Sequence, residues 1–219
     1  MGVRVKICGV CRPADAAAAA HAGADFVGVI LAAGFARTRT AEEAEEIYAA
    51  SSGTKRVGVF VDDDVSAVIA AAERLRLDVV QLHGEEGAEA VVEIRQAGAW
   101  AVWKSIRPRA VGELEGLAGR YSVLADGVLV DGWSERGPGG VGARFAWVDI
   151  SAKRSALDGV QFIAAGGLRA ENVGEVVRLL SPDVVDVSSG VEESQGRKST
   201  DLMRAFIATA RAASAEVAR

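Results

Sequence analysis

A chain of 219 residues, 50% hydrophobic and 25% charged, has apolar surface enough for a sizeable core, which excludes disorder and fits one α/β domain over residues 1–219. Its formal charge of -5, with no Lys/Arg block, excludes nucleic-acid binding through a broad basic face, so an anionic ligand needs a local site. Cys8 and Cys11 make no disulfide framework, MGVRVKICGV lacks a secretory layout and no apolar run is long enough for a membrane span; a cytoplasmic protein without membrane contact is expected.

In chain order, β-branched and apolar runs predict strands that alternate with alanine-, glutamate- and arginine-rich stretches of helical spacing. The strand and helix ranges are 3–8 and 13–22, 26–31 and 41–50, 56–61 and 65–74, 79–82 and 88–96, then 101–105 and 110–118, 128–131 and 146–153, 161–164 and 171–180, 184–187 and 200–213. Continuous apolar strands such as RVGVFV and DVVDV suit a parallel sheet covered on both faces. An open doubly wound sheet calls for a G-x-G-x-x-G turn after its first strand, and CGVC lacks it. Eight units without a composition break therefore predict a closed (βα)8 TIM barrel. The alanine run before Gly23 reads as an outer helix that the glycine stops. The longest irregular stretch, 132–144, follows strand six and carries Gly132, Gly137, Gly139, Gly140 and Gly142, where a mobile active-site loop is expected.

Active sites of this fold gather at the carboxyl ends of the strands. Cys8 ends strand one, Arg37 lies after strand two, His83 follows strand four and Asp131 ends strand six. After strands seven and eight come Gly166 and Gly167, then Ser188, Ser189 and Gly190, small residues whose backbone N–H groups suit a phosphate. The same glycines also fit tight turns needing positive φ. Cys8 reads either as a buried inert thiol or as a base whose thiolate the following helix dipole stabilises. Asp131 either faces the barrel mouth or caps the glycine-rich loop, whereas Asp126 precedes its strand and belongs to the opposite, stabilising face. Arg37 and Arg39 are both candidates to clamp a carboxylate, and both also fit a solvated loop. His83 fits a structural role as well as a functional one. Two histidines without a clustered third ligand give no metal site.

Taken together, KICGV, GADFVGVIL, RVGVFV, VQLHGEE, LVDG with its following GGVG, AAGGLRAENV and VDVSSGVEESQGRKS resemble the phosphoribosylanthranilate isomerase family, in order over nearly the whole chain. The resemblance implies an aldose–ketose isomerase of tryptophan biosynthesis that performs an Amadori rearrangement on the small molecule phosphoribosylanthranilate, as a monomer or homodimer without cofactor. Cys8 would take the C2′ proton and Asp131 would protonate the ring oxygen. Arg37 would bind the anthranilate carboxylate, His83 and Asp186 would line the pocket, and Gly167, Ser188 and Ser189 would hold the phosphate. For those roles the Asp131 carboxyl needs a raised pKa, from burial or from a neighbour such as Asp186, while Cys8 must lose its proton.

The chain departs from the family at three places. LAAGFAR replaces an aromatic and Pro-Ser turn after strand two, Ala146 stands where an aspartate would cap its helix, and Cys11 stands where threonine is common. Competing readings fit less of the chain. The histidine-pathway isomerase has an aspartate ending strand one, thiol–disulfide exchange at C-x-x-C leaves seven βα units unexplained, and a noncatalytic sugar-phosphate sensor has no need of Cys8 and Asp131.

Overall fold

The computed structural model describes residues 2–108, 110–131 and 147–218. Eight parallel strands close into a barrel in sequence order. They are β1 (Arg4–Ile7), β2 (Phe26–Ile30), β3 (Lys55–Phe60), β4 (Val79–Leu82), β5 (Ala101–Ile106), β6 (Gly127–Asp131), β7 (Gln161–Ala165) and β8 (Val184–Val187). Between and after them run α1 (Pro13–Ala22), α2 (Ala41–Ala50), α3 (Val65–Leu75), α4 (Ala88–Ala97), α5 (Val111–Tyr121), α6 (Trp147–Ser151), α7 (Ala170–Leu180) and α8 (Thr200–Val217). This is the TIM barrel expected from the alternating pattern.

Side chains of a strand alternate between faces, so a closed sheet sorts its residues into an outer and an inner set. Val5, Ile7, Val27, Val29, Val80, Leu82, Val128 and Val130 join the outer core beneath the helices. Inside, Phe26, Val57, Val79, Trp103, Leu129, Ile163 and Val184 form a separate plug, with the Phe26 and Trp103 rings edge to face at 5.0 Å. The plug fills the amino-terminal half of the barrel. Nearer the carboxyl ends polar inward residues, Gln81, Asp131 and Asp186 among them, join the apolar ones, and there the mouth begins.

The amino-terminal rim is closed by a fourfold repeat. Asp25, Asp78, Asp126 and Asp183 each precede an even-numbered strand, and each carboxylate accepts the backbone N–H of the preceding odd strand, at Val5, Arg56, Val102 and Phe162, over 2.8 to 2.9 Å. Asp126 thus lies on the face assigned to it from sequence.

Element ends differ from expectation where tertiary contacts extend or cut a run. α8 continues to Val217 because its last turns dock on the first strand, with Val3 N–H donating to Ser214 Oγ at 2.9 Å. α6 is a short piece followed by a 3-10 turn at Arg154–Leu157. Its expected start at Ala146, with the glycine-rich 132–144 stretch, lies outside the described residues. A hairpin of β9 (Glu192–Ser194) and β10 (Arg197–Lys198), turning at Gly196 with φ 77°, was not anticipated, since two strands this short and charged carry no alternating pattern. Gly23 stops α1 at φ 92°, as read from sequence.

One buried ion pair fixes the loops above β3, β4 and β5. Lys104 Nζ lies 3.0 Å from Glu86 Oε2 and donates to the carbonyls of Gly84 at 2.7 Å and Ser105 at 2.9 Å. Glu86 Oε1 accepts the N–H of Asp62 at 3.1 Å and of Gly84 at 3.0 Å. A Cβ at Gly84 would overlap the Asp62 carboxylate, so a larger residue there would displace that side chain. Burial pushes the Glu86 carboxyl up, yet Lys104 and the backbone N–H groups outweigh it and hold it below its ordinary range. Stability from this group is therefore present above the ordinary carboxylate pKa and is lost as pH falls through the lowered one. Lys104→Met should destabilise the protein by roughly 3–5 kcal/mol, since it leaves a buried carboxylate without its cation. Urea unfolding at neutral pH checks this; a midpoint equal to wild type would contradict the assigned role.

Candidate active site

The ten residues nominated from the sequence, Cys8, Arg37, His83, Asp131, Gly166, Gly167, Asp186, Ser188, Ser189 and Gly190, all line one cavity of about 240 Å³ at the carboxyl ends of the strands. Gln81 and Arg107, not singled out from sequence, line it too. Seven of the eight strands or the loops after them contribute a functional group or a phosphate-sized turn, which is how a barrel gathers residues distant in sequence.

Cys8 continues β1 beyond its last paired residue, its N–H donating to Val187 O at 2.8 Å. Beside it, Lys6 Nζ donates to Asp186 Oδ1 at 2.9 Å. Burial pushes the Cys8 thiol up, Asp186 pushes it the same way, and the cations Lys6 and Lys198 oppose without prevailing. Burial and Asp186 thus oppose the thiolate that the helix dipole was expected to favour. Burial dominates at this sulfur, and the positive charge beside it comes from two lysines. Cys11 is free and buried like Cys8, its Sγ 3.5 Å from Gly9 O and 3.8 Å from Arg37 O.

Asp131 sits at the end of β6 with His83 Nε2 at 3.5 Å and Arg107 Nε at 3.7 Å. Asp186, the neighbour expected to act on Asp131, is instead paired with Lys6. His83 Nδ1 lies 3.1 Å from Gln81 Nε2. With that amide donating, the imidazole hydrogen of neutral His83 is on Nε2, facing Asp131. Arg107 also reaches the His83 carbonyl at 3.1 Å, so His83, Arg107 and Asp131 form one group across β4, β5 and β6.

Of the two loop arginines, Arg37 lines the cavity. Arg39 binds the carbonyls of Cys11 and Thr38 at 3.2 and 2.7 Å. Arg37 is itself held bidentately by Glu192, with Nε at 2.7 Å and Nη2 at 2.6 Å. Glu192 Oε1 also receives Lys198 Nζ at 2.9 Å, and Lys198 donates to Ser188 O at 3.0 Å. The hairpin thus ties the loop after β2 to the loop after β8.

The tight-turn reading of the small-residue loops finds its place in the backbone. Gly166 and Gly167 have φ of 96° and 63°, the left-handed conformation that favours glycine. Gly190 is needed for close approach, since a Cβ there would overlap the Leu168 carbonyl oxygen. Asn172 fastens the first loop to α7, donating to Gly167 O at 3.0 Å and accepting from Arg169 N–H at 2.8 Å.

Sequence reasoning passed over Lys6, Gln81, Arg107, Glu192 and Lys198. A cation in the apolar VKIC run and an amide in VVQL were the available signals for the first two. Arg107 follows β5 as His83 follows β4, so the strand-end rule applied to every strand finds it. Glu192 and Lys198 gave no signal, because charged residues in EESQGRK fit a solvated turn. Among the described residues, no group of three His, Cys, Asp or Glu side chains is placed to hold a metal ion, and no helix is long and apolar enough to cross a membrane.

A family profile described as PRAI, N-(5'phosphoribosyl)anthranilate (PRA) isomerase, matches residues 5–209. The N-(5'-phosphoribosyl)anthranilate isomerase of Rubrobacter xylanophilus is 39% identical over 209 residues, covering 95% of this chain and 98% of its own. The crystal structure of the Thermotoga maritima phosphoribosyl anthranilate isomerase superposes with a TM-score of 0.87 at 33% identity, over 96% of this chain and 99% of that one. A phosphoribosyl anthranilate isomerase solved in complex with reduced 1-(o-carboxyphenylamino)-1-deoxyribulose 5-phosphate superposes at 0.84 with 31% identity, over 96% and 99%. On its sequence, its barrel and its full-length likeness to these enzymes, the chain belongs to the N-(5'-phosphoribosyl)anthranilate isomerase family.

Proposed function

We propose that the chain, as one barrel domain over residues 1–219, isomerises phosphoribosylanthranilate to 1-(2-carboxyphenylamino)-1-deoxyribulose 5-phosphate with Cys8 as general base and Asp131 as general acid. The observation that carries this reading is the convergence of a thiol, a carboxylic acid and two Gly/Ser loops on a single cavity.

The reaction divides into two proton transfers. Asp131 gives its proton to the ring oxygen as the C1′–O bond breaks, and the nitrogen lone pair closes a C=N⁺ bond. Cys8, as thiolate, takes the C2′ proton; the C–H electrons form C1′=C2′ and neutralise the nitrogen. The resulting enaminol becomes the ketone when C1′ gains a proton and the C2′ hydroxyl loses one. The substrate nitrogen is the electron sink, so the chemistry requires no cofactor. Each general acid or base of this kind contributes about 10²- to 10⁴-fold.

Arg37 offers its remaining Nη1 edge to the anthranilate carboxylate while Glu192 steadies the other edge. Gly166, Gly167, Ser188, Ser189 and Gly190 supply backbone N–H and hydroxyl donors to the phosphate. His83 and Asp186 line the pocket, the first beside the acid and the second beside Lys6. The partner called for is this small molecule, bound by a cytoplasmic monomer or homodimer.

Cys8→Ala and Asp131→Asn should each lower kcat by at least about 100-fold with an unchanged circular dichroism spectrum, read from the loss of substrate fluorescence. Near-normal turnover in either variant removes that residue from the mechanism. Because the active form of Cys8 is the thiolate and its pKa is raised, kcat/KM should climb with pH along a limb displaced above the ordinary thiol range. A plateau already reached at neutral pH would contradict the raised thiol. Arg37→Ala should mainly raise KM, since a carboxylate contact is made in ground and transition states alike; a change confined to kcat would deny it that contact.

A further inference from the structure

On β1 the alternation of faces turns Lys6 and Cys8 toward the barrel interior, one step apart along the same side. Lys6 has no solvent exposure. It is the register partner of Asp186 on β8, and their side chains meet at 2.9 Å. A buried ion pair adds little net stability over apolar residues of the same volume, so the plug just below would be better served by extending upward. Three of the ammonium's N–H bonds need acceptors and Asp186 satisfies one. The next group beside it is the Cys8 sulfur. β2 makes room for that meeting with Gly28, where a Cβ would lie 3.1 Å from Lys6 Nζ and 3.2 Å from Cys8 Sγ.

We propose that Lys6 is a positioning residue for Cys8: anchored by Asp186, its ammonium holds the sulfur over Gly28 and supplies the positive charge that a thiolate there requires. The charged and titratable groups that act with Cys8 are Lys6 on β1, Asp186 on β8, Lys198 on β10, Arg37 after β2 and Tyr48 on α2. Arg37 and Lys198 share the Glu192 carboxylate, and the Tyr48 hydroxyl donates to Val57 O at 2.8 Å. Lys6 is therefore the lysine with capacity left for the sulfur. Burial alone would push its ammonium down, but Asp186 and Cys8 together hold it above the ordinary lysine range. At Cys8 it opposes burial both as a charge and as a hydrogen-bond donor.

The catalytic consequence rests on the reading of Cys8 as base; the coupling of Lys6 to the thiol does not. The test titrates Cys8 through the pH dependence of its alkylation by iodoacetamide, read by peptide mass spectrometry in a Cys11→Thr background. Lys6→Met should raise the midpoint by at least about one pH unit, and Asp186→Asn should lower it. Opposite shifts are not produced by general loosening of the barrel. Inhibition by inorganic phosphate should be unchanged in Lys6→Met, and the ascending limb of kcat/KM should move with the thiol. A folded Lys6→Met protein with the wild-type midpoint overturns the proposal. If that variant does not fold, Asp186→Asn decides, and a midpoint that stays or rises overturns it as well. Thiol shifts that the kcat/KM limb does not follow would uphold the Lys6–Cys8 coupling while removing Cys8 as the base.

Discussion

A closed parallel barrel has one interior, and that interior must serve as both core and site. The constraint is axial: along each strand every second side chain points inward, and its height decides whether it meets packed hydrocarbon or the open mouth. Phe26 and Val184 begin their strands and belong to the plug, whereas Asp186, two residues beyond Val184, lines the cavity. The same two-residue step separates Val79 from Gln81, and Leu129 from Asp131. Burying Lys6 and Asp186 at this level is tolerable because they are partners in register, so neither charge is desolvated alone.

The loops above that floor are held by polar contacts between neighbouring units. Glu86 gathers the turns after β3 and β4 onto Lys104 of β5. Glu192 and Lys198 gather the turns after β2 and β8. Gly190 lets the turns after β7 and β8 meet backbone to backbone. Each clasp spans strands rather than a single turn, so the cavity wall is positioned by the sheet beneath it. This is the support that precise placement of acid–base groups demands, since small displacements are costly in rate.

Much of this was written in local patterns. Repeated apolar runs gave the strands, Gly23 gave the end of α1, and the strand-end rule brought Cys8, His83 and Asp131 to one mouth. What local pattern could not supply was pairing across the barrel. Lys6 reads as an oddity in VKIC until β8 brings Asp186 beside it. Arg37 reads as an unengaged clamp until β9 brings Glu192. The raised thiol of Cys8 likewise depends on burial by the closed sheet, which no window of sequence contains. The four aspartates before the even strands are the converse case: GADF, LDVV, ADGV and PDVV were visible as a repeat, but its meaning needed the rim they close.

The upward push of burial on the Cys8 thiol has a consequence outside the reaction itself. Oxidants and electrophiles attack thiolates far faster than thiols, and the first step toward sulfenic acid depends on thiolate character and access. A sulfur that burial biases toward the thiol, and that faces a cavity rather than the open surface, should react slowly with peroxide. The chemical lifetime of such a cysteine under oxidants is then set by how seldom it is ionised.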